Sequence, residues 1–260
     1  MLRMPKTPLF SGRRDLVYVE SDFDGYVTGD EWTGGGDTGA VTVLADVAGG
    51  VVQLATTALD NDETWLHTTQ ELFRFGLVGS TILRNSAFEA LIRYTEITAD
   101  TANVFVGMMN ALATTPFQDD GAGPKADFCG YGFYRLDGGV VWNTIVDNLT
   151  DFDQLTQALT LANTRNLAGE KVDADEDTVY RLRAECKPVC LKSATVLNLD
   201  FDFWINDIHL VHENCDMTIA NFTNMHFGMA IHAGDGQILQ LHCDYAGASQ
   251  LRFPIEVATV

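Results

Sequence analysis

Residues Leu197–Val211 read LNLDFDFWINDIHLV, and this stretch decides the fold class. Leu197, Leu199, Phe201, Phe203 and Ile205 occupy alternate positions, with Asn198, Asp200, Asp202 and Trp204 between them. Successive side chains of a strand point to opposite faces, so this period of two predicts a strand with one buried face. Asn206-Asp207 interrupts the alternation before Ile208 resumes it. Both residue types tolerate positive φ and suit a two-residue hairpin turn. The segment therefore predicts two antiparallel strands with their apolar side on a core.

The same signal extends outward. In Ala87–Tyr94, Phe88, Ala90, Ile92 and Tyr94 share one face, and Glu89, Leu91 and Arg93 the other. Runs of like character lie at Val51–Thr56, Glu63–Thr68, Val104–Asn110, Phe128–Leu136, Val140–Val146 and Val179–Cys186. Others follow at Ile208–Glu213, His226–His232, Ile238–Tyr245 and Leu251–Val257. Asp137-Gly138-Gly139 reads as a second, slightly longer turn. Short strands of this number and spacing predict an all-β, two-sheet antiparallel sandwich. Asp151–Ala168 is the rival segment: Phe152, Leu155, Leu159 and Ala162 fit helical spacing behind Asp151 as a cap.

Composition bounds the class. The 260 residues are 46% hydrophobic and 20% charged, an ordinary globular balance that excludes wholesale disorder. A chain of this size buries about 70–75% of its unfolded surface and needs no disulfide or metal staple. Acidic residues number 36 against 16 basic, a net charge of −20 with a pI near 4.4. Such a field repels phosphate backbones and anionic lipid, so no direct nucleic-acid partner and no membrane is expected. The five cysteines are an odd number, and MLRMPKTPLF lacks the apolar core of a signal peptide. No apolar run approaches the roughly 18 residues of a membrane span. The expectation is a cytosol-folded protein with free thiols.

The charge is uneven. Arg3, Lys6, Arg13 and Arg14 crowd the first fourteen residues without an acidic residue, leaving −24 on the remainder. Pro5 and Pro8 and the lack of either period predict an extended arm over Met1–Arg14. Asp22–Asp46, with Gly34-Gly35-Gly36, reads as loops joining short strands. Residues 1–48 are thus expected to form the arm and a Gly-rich loop region, and 49–260 the sandwich.

Five stretches carry residue types capable of chemistry. Glu20-Ser21-Asp22-Phe23-Asp24 approaches the Glu-x-Asp-x-Glu strand of retaining glycan hydrolases, which need a close carboxylate pair. Its third acid is Asp and it precedes the strand-rich region, so it reads as solvated turn acids. Asp173-Ala174-Asp175-Glu176-Asp177 and Asp60-Asn61-Asp62-Glu63 have calcium-loop composition, but neither has the turn Gly and bidentate Glu in register. Cys186, Cys190, His209, His212 and Cys215 are zinc-type donors. In a strand, however, His209 and His212 point to opposite faces and could not share one ion, and Cys186 meets Cys190 only if Pro188 makes a turn. Gly121-Ala122-Gly123-Pro124-Lys125 is an inter-strand loop with no helix start to receive an anion. No Gly-x-Ser-x-Gly elbow, phosphate loop or dinucleotide fingerprint occurs. No catalytic residue, cofactor or metal ligand is therefore expected. The aromatics remain: Trp65, Trp142 and Trp204 fall in predicted strands, and Trp204 lies opposite the core stripe of its own. An outward Trp suits packing against the arm, a neighbouring subunit or a sugar ring.

In order along the chain, LDNDETWLHTTQELFRF (59–75), FEALIRY (88–94), ANVFVGMM (102–109), DGAGPK (120–125), YRLDGGVVW (134–142), YRLRAE (180–185) and FDFWINDIHLV (201–211) resemble the concanavalin A-like jelly-roll domains of tailed-bacteriophage virion proteins. The resemblance spans roughly residues 50–245. It implies an all-β, two-sheet jelly-roll sandwich and a structural place on a phage particle as a capsid decoration or cement protein. The partners it implies are the major capsid protein or other virion proteins and further copies of the chain, joined after folding in the host cytoplasm. Arg3, Lys6, Arg13, Arg14 and Trp204 are the expected interface residues. A lectin-like, glycan-binding module on the virion is the alternative.

Overall fold

The computed structural model describes residues 16–24, 26–44, 50–71, 73, 82–97, 101–110, 117, 128–139, 141–148, 157–158, 177–218, 225–251 and 255–256. Among them, β1 (Leu16–Ser21), β2 (Trp32–Gly36), β3 (Ala40–Val43), β4 (Val52–Ala55), β5 (Glu63–Thr68) and β6 (Ile82–Leu83) come first. Next are β7 (Ser86–Thr95), β8 (Ala102–Asn110), β9 (Cys129–Arg135), β10 (Asn143–Asn148), β11 (Gln157–Ala158) and β12 (Tyr180–Leu191). Then follow β13 (Val196–Ile205), β14 (Ile208–Thr218), β15 (Met225–Ala233), β16 (Gln240–Leu251) and β17 (Ile255–Glu256).

These strands build two antiparallel sheets. One has eight strands in the order β14-β13-β12-β7-β16-β4-β3, with β1 also on β16; the other has seven, β11-β10-β9-β8-β15-β5-β2. β16 is long enough to hold β4 along its first part (Gln240–Cys243) and β1 along its second (Ala246–Leu251). Asn206 and Asp207 have φ of 52° and 67°, as the hairpin between β13 and β14 requires.

The alternation that defined the fold places its apolar set between the sheets. Leu197, Leu199, Phe201, Phe203 and Ile205 are all buried in the main core. Phe201 meets Tyr131 at 5.1 Å and Phe203 meets Phe133 at 5.5 Å across the sheet interface. Each such side chain contributes about 1.5–3 kcal/mol by leaving water. A second apolar cluster lies on the outer side of the seven-stranded sheet: Phe105, Met109, Phe128, Tyr134, Ile145 and Ala230, joined by Phe117. β8 and β15 are consequently covered on both faces.

Three expectations are corrected by the pairing. The division at 48/49 falls inside the sandwich: β1 and β3 pair with β16 and β4, and β2 pairs with β5. The glycines of β2 serve contact, since a Cβ on Gly35 would fall 2.5 Å from Cζ2 of Trp65. Gln157–Ala158, inside the candidate helix, instead pairs antiparallel with Asn143–Thr144; the rest of that segment lies outside the described residues. Leu251 ends β16 rather than beginning a new strand, and Ile255–Glu256 pairs with β6.

One buried ion pair fixes the turn from β7 to β8. Arg135 Nη2 lies 2.9 Å from Glu96 Oε1, and both side chains are essentially out of water. Glu96 Oε2 accepts the amides of Thr101 and Ala102, each at 2.9 Å. The guanidinium donates to Ala102 O and sits 5.0 Å over the Tyr94 ring. Buried charges persist only when paired and hydrogen-bonded in this way.

Candidate functional site

The outer face of β12, β13 and β14 gathers the polar residues that the alternation leaves outside. Register sets them in rows: Arg183 beside Trp204 beside His209, and Glu185 beside Asp202 beside His212. The second row depends on an irregularity. Between Phe203↔Val211 and Trp204↔His209 the register shifts, so β14 carries one extra residue, Leu210. A bulge of this kind reverses the parity of a strand, and it brings His209 and His212 to the same side. The expectation that they face apart is therefore overturned.

Both imidazoles donate to one carboxylate oxygen, Asp202 Oδ1, from His209 Nε2 at 3.0 Å and His212 Nδ1 at 2.9 Å. His212 Nε2 lies 3.6 Å from Asp200 Oδ1. Lys187 Nζ lies 2.8 Å from Glu185 and 3.5 Å from Asp202, and Arg183 closes on Glu185 from the other side. Further along, Asn214 donates to Asp200 at 2.6 Å and exchanges amide bonds with Asn198, which also donates to Asp216 at 2.7 Å. Trp204 is partly exposed between Arg183, 4.8 Å over its ring, and His209, whose ring is 5.1 Å away.

Protonation follows from these contacts. The bond to Asp202 raises His212 above the ordinary histidine value against a smaller effect of burial. Burial would raise Asp202, but hydrogen bonds from His212 and His209 and the nearby Lys187 outweigh it and hold the carboxyl low. Glu185 is likewise buried yet held low by Lys187 and Arg183. Asp202 and Glu185 are thereby held as carboxylates with fixed partners, beside one aromatic plane.

The other candidates resolve differently. Glu20 lies on β1 opposite Gly247, but Phe23, at φ 54° and fully buried, reverses the chain before Asp24. Ser21 Oγ accepts the Phe23 amide at 3.0 Å in that turn, so the three acids do not line one strand face. Asp62 Oδ2 accepts from both the amide and the hydroxyl of Thr57, and Oδ1 from the Thr38 amide, which commits this carboxylate to loop structure. Cys186 and Cys190 lie along one strand, β12, with no turn at Pro188, and all five cysteines are free thiols. Among the described residues no group of three His, Cys, Asp or Glu side chains is placed to hold a metal ion. Trp142 is core, edge-on to Tyr180 at 5.5 Å and Tyr94 at 6.2 Å. Trp65 stacks on His67 at 4.8 Å beside the second apolar cluster. Arg3, Lys6, Arg13, Arg14, the loop 121–125 and most of 173–177 lie outside the described residues.

No family model and no curated protein matches the chain. Its structure does match solved ones. A protein of unknown function from Shewanella oneidensis MR-1 is 10% identical, with TM-score 0.56 over 100% of this chain and 99% of that one. Lectin I from Ulex europaeus, in complex with the methyl glycoside of alpha-L-fucose, is 9% identical, with TM-score 0.55 over 92% and 99%. Peanut lectin is 13% identical, with TM-score 0.52 over 91% and 97%. The chain therefore has the concanavalin A-like sandwich fold, one shared with carbohydrate-binding proteins. At such identities the likeness concerns architecture alone, since one fold hosts many functions.

Proposed function

We propose that this protein is a non-enzymatic structural component of a bacteriophage virion, of the capsid decoration or cement type. Its work is contact through the outer face of β12–β14. The observation that carries the reading is Trp204, held partly exposed between Arg183 and His209 on a polar face ordered by ion pairs and hydrogen bonds. Trp and Arg dominate the energetics of protein interfaces, and a preordered surface loses little side-chain entropy on docking. The resemblance of the chain's pattern to phage virion domains supports the particle assignment, and a two-sheet sandwich offers a rigid body for bearing load between capsomers.

Mass spectrometry of purified particles tests this. The expected result is the chain in fixed ratio to the major capsid protein; its absence from particles would overturn the reading. A glycan-binding module is the second reading, because the same Trp plane is flanked by carboxylate and imidazole groups able to hydrogen-bond a sugar. Trp204-dependent glycan-array binding by the isolated protein, without particle occupancy, is the outcome that would favour it.

A further inference from the structure

At one end of the sandwich, β4 turns to β5, β7 to β8, β9 to β10, β13 to β14 and β15 to β16. Main-chain bonds join these turns into one surface: Asn61 N to Ala233 O at 3.1 Å, Gly234 N to Thr101 O at 3.0 Å and Asp177 N to Tyr94 O at 2.8 Å. Four large apolar side chains stand out from it, Leu59 (55% exposed), Ile97 (75%), Val179 (54%) and Ile238 (43%). They are half of the exposed large hydrophobic residues found anywhere among the described residues. Asp60, Asp137, Asp177 and Asp235 are spread among the same turns, and no described lysine or arginine forms an ion pair with any of them. Burial and the neighbouring Asp235 raise Asp137. Exposed apolar side chains interspersed with acidic ones are complementary to a segment that is itself apolar and basic.

The sequence holds one such segment, Met1–Arg14, with Arg3, Lys6, Arg13 and Arg14 among Met1, Leu2, Met4, Leu9 and Phe10. It joins the body at the opposite end. Leu16 pairs with Leu251, the last residue of β16, whereas the acidic–apolar end is marked by Gln240, the first. The twelve residues of β16 put about 36–40 Å between the two ends. Arg13 and Arg14 lie within three residues of Leu16 and reach at most about 11 Å beyond it, so they cannot meet the acidic end of their own copy. All four cations can engage that surface only on another molecule.

We propose that the acidic–apolar end binds the Met1–Arg14 segment of a second copy of this chain, giving a head-to-tail, heterologous association. Such a contact closes into a ring or continues as an open chain according to the rotation between copies. The inference rests on the topology and the charges, and holds whichever other partner the outer face of β12–β14 meets.

Sedimentation velocity on full-length protein tests it with two variants. One reverses the arm (Arg3→Glu, Lys6→Glu, Arg13→Glu, Arg14→Glu) and the other blunts the receiving end (Ile97→Lys, Val179→Lys). Ile97→Lys alone serves if the double change unfolds the protein by circular dichroism. Wild type is expected to associate beyond the monomer, and each variant alone to be monomeric. An equimolar mixture of the two should recover a dimer and nothing larger, because one intact arm then meets one intact end. A monomeric wild type, association that survives arm reversal, or a mixture that stays monomeric would each overturn the proposal. The last two results would point to a different contact between copies or to a different occupant of this end.

Discussion

The two sheets present opposite solutions on their outer faces. On the eight-stranded sheet, β12–β14 carry ionised side chains in paired rows around Trp204, open to solvent. On the seven-stranded sheet, Phe105, Met109, Phe128 and Tyr134 form a second apolar layer, with Gly107, Gly130 and Gly132 at positions where a Cβ would collide with the neighbouring strand. The same backbone geometry thus supports a surface that can exchange water for a partner and one that is already covered. Within a single fold, one outer face extends the buried core and the other stays open to solvent. The open face can be altered without dismantling the core, and the covered face cannot.

That difference is sharpest in unfolding free energies. Phe105→Ala removes a fully buried ring packed 5.4 Å edge-to-face on Phe128, and should lower stability by about 3–5 kcal/mol in a denaturant titration. Glu96→Ala strands the buried Arg135 charge and should cost a comparable amount, about 3–5 kcal/mol. Gly107→Ala sets a methyl group against the Tyr131 carbonyl and the Gly132 backbone, for a loss of about 1–3 kcal/mol by the same assay. Trp204→Ala on the open face should change stability by less than about 1 kcal/mol. Equal losses for Phe105→Ala and Trp204→Ala would erase the distinction between the faces.

Histidine titration probes the same contrast more finely. His212, bonded to Asp202 on the open face, should titrate above 6.5 by NMR. His67 should titrate below 6.5, because burial disfavours its charge more than its bond to Thr68 O favours it, with His226 adding to the depression. Asp202→Asn should return His212 toward 6.5 and leave His67 unmoved. The sign for stability follows. A raised histidine stabilises the fold below pH 6.5 and loses that contribution as pH rises through the raised value. A lowered aspartate stabilises above pH 3.8 and loses its contribution as pH falls. The gap between wild type and Asp202→Asn should accordingly be widest between pH 3.8 and 6.5, and small, below about 1 kcal/mol, for groups this accessible.

How legible each region was in the sequence follows from the same contrast. β13 faces core on one side and water on the other, so its alternation announces both the strand and the outward Trp204. β8 and β15 are buried on both faces, and the near-continuous apolar run of β8 marks a strand without saying which side is which. Trp32–Gly36 lacks the side-chain pattern of a strand because its glycines make room for close neighbours, Gly35 for Trp65, Gly34 for Tyr26 and Val41, and its pairing is visible only in three dimensions. The convergence of His209 and His212 on Asp202 was hidden for a different reason. It depends on a single extra residue, Leu210, and period-two reasoning assumes that no such residue intervenes. Nothing local in the sequence pairs Glu96 with Arg135; they meet because β7 and β9 finish, and β8 begins, at one end of the sandwich.

Co-sedimentation of the purified protein with phage heads stripped of it would weigh the contact claim most directly. Wild type should bind saturably, and Trp204→Ala, equally folded, should bind at least about tenfold more weakly. Equal occupancy by the two proteins, or no binding by either, would contradict the assignment of this face to virion contact.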